Sequence, residues 1–364
     1  MTVETLGILG AGTMGSGIAI ASAAAGVDVV LVDNTAAQVD KALSEAKRFF
    51  DRSVEKGRIS SEQADANLGR LSGSEDLDAL AGSALVIEAV FEDFDLKARL
   101  LAALSDILPG DTLVATNTSC LRVSDLAKHL AAPERFLGLH YFSPAQINPL
   151  VEVVRGEATS DETYQGALDF VRATGKKPLA CRDSYGFAVN RFFCPYTNEA
   201  ARLVGEGLAT TAQVDRIAKA ALGVPAGPFL VQNIIKPRIN LHAIRNLAPL
   251  GDFYAPAPYL VEVGEAEQSF EIAEDDSGYT QNDAQISDRL RGATYLPILE
   301  ALSEAVANAA DIDMGAQQAL RFSGPCAQMD DLGRDEVERL IAPLCQTYRR
   351  PLPESLKQVG QLLS

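Results

Sequence analysis

Within residues 1–33 a short apolar strand, Leu6-Gly7-Ile8-Leu9, runs into a glycine loop, Gly10-Ala11-Gly12-Thr13-Met14-Gly15. A small-residue helix over Thr13 to Ala25 follows, stopped by Gly26, and a second strand, Val27 to Val32, delivers Asp33 at its carboxyl end. The order constrains the chain more than the glycines alone. Gly10 permits a tight turn, Gly12 lets backbone approach a pyrophosphate, and Gly15 lets helix and strand pack closely. The helix amino terminus offers unpaired N–H groups and the positive end of its dipole to phosphates. Asp33 stands about 20 residues beyond the first glycine, where a carboxylate accepts hydrogen bonds from ribose hydroxyls and repels a ribose 2′-phosphate. Asn34-Thr35 brings no arginine to welcome that phosphate. The stretch reads as an NAD site rather than an NADP site, with Gly10, Gly12, Thr13, Met14, Gly15 and Asp33 as cofactor-binding candidates.

A chain of 364 residues suits two domains, or one large and one smaller, and 47% hydrophobic residues suffice for a substantial core. No apolar run reaches membrane-span length. Met1-Thr2-Val3-Glu4 enters the first strand almost at once, which leaves no room for a targeting peptide and sets a cytoplasmic expectation. Cys120, Cys181, Cys194, Cys326 and Cys345 are scattered without CxxC pairing, so neither a metal nor a disulfide framework is expected. A formal charge of −17 argues against nucleic acid and anionic membranes as partners. It also means that any phosphorylated substrate must find a local basic patch.

Residues 1 to about 183 alternate strands and helices, which predicts a mostly parallel sheet covered on both faces. Further strands are expected at Ala84 to Val90, Thr112 to Thr116, Phe136 to Leu139, Leu150 to Val154 and Pro178 to Cys181, with helices over Asp95 to Leu104 and Val123 to Leu130. Beyond Gly186 amphipathic helices take over, at Phe192 to Leu203 and Ala212 to Leu222. The carboxyl half carries a degenerate repeat. Thr211 to Asp215 followed by Gly227-Pro228 resembles Ala310 to Met314 followed by Gly324-Pro325, and Asn190-Arg191 has an echo in Asp288-Arg289. Glu262 to Asp283 reads as an acidic linker. The expected fold class is an α/β Rossmann-like doubly wound amino-terminal domain over 1–184, then an all-α carboxyl-terminal domain with two degenerate repeats, over 185–265 and 284–364.

With NAD in place the chain needs a base that removes a proton as a hydride leaves. His129 lies near a helix end, where a solvated or dipole-facing role is the default, and His242 sits in an irregular stretch with no evident role. His140 follows the apolar strand Phe136-Leu137-Gly138-Leu139, at the end where open α/β sheets place their ligands. Glu152 interrupts the apolar strand Leu150 to Val154. A buried carboxylate is costly unless paired, and an imidazole is the natural partner. An ordinary imidazole, with a pKa of about 6.5, is a usable base near neutrality, and a carboxylate on its other nitrogen fixes the tautomer.

Gly10 to Gly15, Asn117-Thr118-Ser119, Gly138-Leu139-His140-Tyr141-Phe142, Leu150-Val151-Glu152-Val153 and Gly186-Phe187-Ala188-Val189-Asn190-Arg191 resemble the 3-hydroxyacyl-CoA dehydrogenase family, in that family's order and spacing. The resemblance is dense over residues 5 to about 230. It implies that His140 accepts the C3 hydroxyl proton while the C3 hydride passes to NAD, that Glu152 orients His140, and that Ser119 and Asn190 contact the reacting end of the acyl group. It places Glu92, Lys97 and Asn117 along the cofactor and CoA side of the cleft, with Lys97 available to CoA phosphates, and it implies the L (3S) isomer. Blander roles exist for several of these residues: Ser119 as a plain turn residue, Asn190 as a helix cap, Lys97 as a solvated helix charge, Cys120 as a small buried neighbour.

The chain also departs from that family. Ser143 stands where asparagine is usual and Tyr185 where proline is usual, and Asn233 to Asn240 does not resemble the usual continuation. Three functional readings follow. The first is an ordinary 3-hydroxyacyl-CoA dehydrogenase. The second acts on a short hydroxyacyl group, such as glyceryl, carried by an acyl carrier protein in polyketide extender-unit biosynthesis. Its docking patch would be Lys176, Lys177 and Arg182, or Lys236 and Arg238. The third is an NAD-binding structural protein without turnover. By the same resemblance single-repeat relatives pair through their helical domains, so a tandem-repeat chain is expected to be a monomer or a different homodimer.

Overall fold

The computed structural model describes residues 3–272 and 280–364. The chain divides into two compact units, Met1–Asp183 and Ser184–Ser364.

The first unit is built on one eight-stranded sheet, β1 (Thr5–Leu9), β2 (Asp28–Val32), β3 (Leu71–Ser74), β4 (Leu85–Glu88), β5 (Leu113–Thr116), β6 (Phe136–Tyr141), β7 (Leu150–Arg155) and β8 (Lys177–Arg182). Their order is β3-β2-β1-β4-β5-β6-β7-β8. All neighbours are parallel except β6 and β7, which are antiparallel. Between them run α1 (Thr13–Ala24), α2 (Ala36–Glu55), α3 (Ser61–Gly69), α4 (Phe94–Ile107), α5 (Val123–Ala127) and α6 (Asp161–Ala173). Strand order reverses at β1, so the carboxyl ends of β1, β4, β5 and β6 form the crevice in which such sheets bind ligands. Leu6, Ile8, Leu31, Ile87, Ala115, Leu139 and Val153 belong to the core cluster behind it.

Three features differ from expectation. Strand β6 runs on to Tyr141, so His140 lies inside a strand rather than after it. The twenty-residue helix α2 buries Val39, Ala42, Ala46 and Phe50, an i, i+3, i+7, i+11 stripe that its many charges obscure in the sequence. Strand β3, Leu-Ser-Gly-Ser, lacks any apolar pattern; it is an edge strand, and a Cβ on its Gly73 would lie 2.2 Å from the Val39 side chain.

The second unit is helical: α7 (Asn190–Gly205), α8 (Thr211–Leu222), α9 (Pro228–Ile235), α10 (Pro237–Leu247), α11 (Pro258–Glu265), α12 (Asp283–Ser303), α13 (Ala309–Gly315), α14 (Pro325–Leu332) and α15 (Arg334–Thr347). The repeats fold into this single unit rather than into separate domains. Their likeness extends to side-chain detail. The Asp215 carboxylate accepts from Phe229 N (2.8 Å) and Leu230 N (3.1 Å) at the start of α9, and Asp313 accepts from Cys326 N (2.7 Å) and Ala327 N (3.0 Å) at the start of α14. Each acid caps the helix that opens with the Gly-Pro of its repeat. Positive-φ residues recur in register, Gly207 with Ala305, Gly223 with Arg321 and Lys236 with Gly333. The expected linker begins inside α11, and Phe270 within it is 3% exposed with its backbone bonded to the Asn233 side chain. Its residues 273–279 lie outside the described residues. Among the described residues no helix is long and apolar enough to cross a membrane.

Candidate active site

At the carboxyl end of β1 the backbone turns with φ +108° at Gly10, and a Cβ there would lie 2.7 Å from the Ala89 carbonyl oxygen. At Gly15 a Cβ would lie 1.8 Å from the Gly10 carbonyl oxygen, so strand end and helix approach as only glycine allows. A Cβ on Gly12 would meet nothing within 4 Å, so this backbone faces open space. No side chain caps α1 at Gly12, which leaves its first-turn N–H groups, at Thr13 and Met14, to an anion. Asp33 Oδ2 accepts from Ala11 N at 2.7 Å and Oδ1 from Asn34 N at 2.8 Å, which fixes the carboxylate beside the loop with lone pairs to spare. An uncapped helix end, open backbone and a fixed acid fit NAD. Gln38, absent from the expected set, donates to the Ala11 carbonyl at 3.1 Å.

Three strands along the sheet from β1, the antiparallel register of β6 and β7 sets His140 directly opposite Glu152. Side chains of opposed residues project to the same face, and here His140 Nδ1 lies 2.6 Å from Glu152 Oε2. Glu152 is 0% exposed and His140 6%. A carboxylate at Nδ1 makes that nitrogen the donor and puts the basic lone pair on Nε2. The Phe142 ring lies against the imidazole, 4.4 Å between centroids.

At the ends of β4 and β5 a second buried charge group appears. Lys97 Nζ, on α4, lies 2.6 Å from Glu88 Oε1 and 3.4 Å from Glu92 Oε2. Glu88 also accepts from Thr116 Oγ1 at 2.6 Å and Val90 N at 2.8 Å. Glu92 Oε1 accepts from the Thr118 hydroxyl, Ser119 N and the Cys120 thiol. Burial by itself would raise the Glu92 pKa; Lys97 and the donors from Thr118, Ser119 and Cys120 outweigh it and hold the carboxyl below its ordinary range. The structure therefore corrects two expectations for Lys97. At 1% exposure its ammonium is neither a solvated helix charge nor accessible to CoA phosphates from solvent; it is the countercharge of Glu88 and Glu92. Glu88 was missed by the sequence reading, although it is an acid ending an apolar strand just as Glu152 interrupts one.

Asn117 Oδ1 accepts from Tyr141 N at 2.9 Å, tying the end of β5 to the residue after His140. Ser119 sits in the bend held by Glu92. His129 stacks edge-on with Phe94, 5.7 Å between centroids, and His242 is exposed on α10. Asn190 is the first residue of α7, whose N-cap position is Val189, so it is not the helix cap. Within the basic patches, Lys176 Nζ donates to the Ala145 and Asn148 carbonyls at 2.6 and 2.8 Å, and burial pushes its pKa down to about 8. Arg238 pairs with Glu267. Both cations are thus already engaged.

Residues 5–184 match the family model for the 3-hydroxyacyl-CoA dehydrogenase NAD binding domain, and residues 186–274 that for the family's C-terminal domain. A 3-hydroxyadipyl-CoA dehydrogenase of Escherichia coli (strain K12) is 36% identical over 240 residues, covering 66% of this chain and 50% of the relative. The chain thus spans about half the length of that relative. A 3-hydroxybutyryl-CoA dehydrogenase of Mycobacterium tuberculosis (strain CDC 1551 / Oshkosh) is 34% identical over 270 residues, covering 73% of this chain and 94% of the relative. The crystal structure of a 3-hydroxybutyryl-CoA dehydrogenase from Escherichia coli K12 substr. MG1655 superposes with a TM-score of 0.87 over 98% of both chains; at 24% identity that likeness concerns the fold. With the glycine loop, the fixed acid and the His140–Glu152 pair all at one edge of the sheet, these matches agree with the geometry: the chain belongs to the 3-hydroxyacyl-CoA dehydrogenase family, and its first unit is an NAD-binding domain.

Proposed function

We propose that the protein oxidises an L-3-hydroxyacyl-CoA to the 3-oxoacyl thioester, with His140 as general base and Glu152 as its orienting partner. The observation that carries this is the buried 2.6 Å contact between His140 Nδ1 and Glu152 Oε2 across the β6–β7 register. His140 Nε2 takes the proton of the C3 hydroxyl, and the O–H electron pair becomes the second C–O bond. Glu152 stabilises the imidazolium so formed, an arrangement in which general base catalysis gives roughly 10²–10⁴-fold. When bound, NAD supplies the acceptor for the C3 hydride. Gly10, Gly12, Thr13, Met14 and Gly15 hold its pyrophosphate and Asp33 its adenosine ribose. Ser119 and Asn190 donate hydrogen bonds to the substrate oxygen as it becomes a carbonyl. Asn117 borders the cofactor, and Glu92 and Lys97 act there by fixing the loop that carries Ser119.

The test is NADH formation with short 3-hydroxyacyl-CoA thioesters, run beside the same acyl groups on an acyl carrier protein. Turnover of the CoA thioesters that is lost in His140→Ala supports the proposal. Turnover on the carrier alone moves the substrate assignment to the carrier protein, with Lys177, Arg182 and Lys236 as the cations to mutate. NAD binding without turnover on either substrate would make the protein a non-catalytic binder.

A further inference from the structure

The turn that leads into Asn190 has an unusual backbone. Gly186 and Phe187 adopt φ of +76° and +49°, and Phe187, with no exposed surface, is a residue for which that region is unfavourable. Such a turn persists only when its surroundings hold it. The residue after Asn190 does so. Arg191 is 0% exposed, its N donates to the Gly186 carbonyl at 2.9 Å, and its guanidinium donates to Ser184 Oγ at 3.1 Å, so it closes both ends of the turn. The rest of that guanidinium is held from elsewhere: by Glu304 Oε1 at 2.7 Å and by the Tyr254 hydroxyl at 3.1 Å. Tyr254 in turn donates to Glu300, which Arg350 pairs at 2.7 Å. Glu300 and Glu304 belong to the second repeat.

The repeat supplies an internal contrast. Arg289 is the counterpart of Arg191 and Glu206 of Glu304, at equal separation along the chain. Arg289 pairs with Glu206 and, at 2.6 Å, with Glu199 of the first repeat. The two ion pairs thus cross between repeats reciprocally, and the Glu206 and Glu304 side chains are each 47% exposed. Only one pair stands next to a candidate catalytic residue, because Asn190 has Asp288 as its counterpart.

We propose that the second repeat helps position the catalytic machinery: Glu304, with Glu300 acting through Tyr254, clamps Arg191 and so fixes the turn that presents Asn190. Arg191, Glu300 and Glu304 are positioning residues. The proposal rests on the reading of Asn190 as a substrate contact. A misplacement of about 1 Å can cost as much as 10²-fold in rate, so a local clamp is visible in kcat where a merely cohesive ion pair is not.

The experiment compares Glu304→Gln with Glu206→Gln, two matched losses of one cross-repeat charge, in the full chain. Steady-state kinetics, the NAD dissociation constant, the melting temperature and amide hydrogen exchange of residues 184–192 are measured for both. The expected result is a kcat lower by roughly 10-fold in Glu304→Gln, with NAD affinity unchanged and faster exchange at 184–192, while Glu206→Gln matches the parent in kcat and in that exchange. Equal losses in the two variants, or a parent-like Glu304→Gln, would overturn the proposal. If the parent turns over no hydroxyacyl thioester, the functional reading fails, and the exchange comparison alone decides the clamp: faster exchange confined to Glu304→Gln upholds it, and equal exchange removes it.

Discussion

Two buried charge groups sit along the same edge of the sheet, and the proposed function gives them opposite work. At the end of β6, Glu152 meets the His140 imidazole. At the ends of β4 and β5, Glu88 and Glu92 meet the Lys97 ammonium and, between them, donors from Val90, Thr116, Thr118, Ser119 and Cys120. Several charge-assisted hydrogen bonds hold that group together. In the function proposed above the first group handles a proton, while the second holds the Thr118–Ser119 bend. What separates chemistry from scaffold at this edge is therefore the partner of the buried carboxylate, imidazole or ammonium, rather than burial itself.

The largest effect is expected at the proposed proton-handling group. His140→Ala should lower kcat by roughly 10²–10⁴-fold, read from NADH formation, with NAD binding close to the parent's. The scaffold group should respond in the other currency. Lys97→Met leaves Glu88 and Glu92 without their cation and should cost about 3–5 kcal/mol of stability, measured by denaturant unfolding; a loss below about 1 kcal/mol, the size of an exposed pair, would erase the contrast. Glu152→Gln, which keeps shape but removes the charge, should slow turnover on the order of 100-fold, the lower end of what general base catalysis supplies. Asp33→Ala should weaken NAD binding about 10-fold, as the loss of hydrogen bonds to a charged group implies, and narrow the preference over NADP, seen by titrating both cofactors.

The smallest effect is a pH dependence. The Glu92 pKa is depressed in the folded chain, so its stabilising contribution is complete above the ordinary value of 4.5 and disappears as pH falls through the folded value. The melting temperature of the parent should therefore drop more steeply on acidification below 4.5 than that of Glu92→Gln.

The elements proposed to position the cofactor were legible because they are local. The glycine loop, α1 and Asp33 lie within one strand–helix–strand unit, and Gly10 and Gly15 each answer to a nearby clash, as at Gly15 against the Gly10 carbonyl. His140 and Glu152 were legible as residue types, but their opposition across an antiparallel pair depends on β7 reversing direction in a sheet expected to be mostly parallel. Lys97 was misread because its burial depends on Glu88 at the end of β4, and an isolated acid after three apolar residues does not announce a partner nine positions on. The Arg191–Glu304 contact joins residues 113 positions apart and follows from how the repeats pack, which the weak sequence echo between them does not specify.

The most direct measurement of the central claim is stopped-flow NADH formation from a short L-3-hydroxyacyl-CoA by the parent and by His140→Ala, each saturated with NAD. The account predicts rapid formation in the parent and a rate at least roughly 100-fold lower in the variant. A His140→Ala protein that forms NADH within about 10-fold of the parent would contradict it, since no general base contributes so little in such a site.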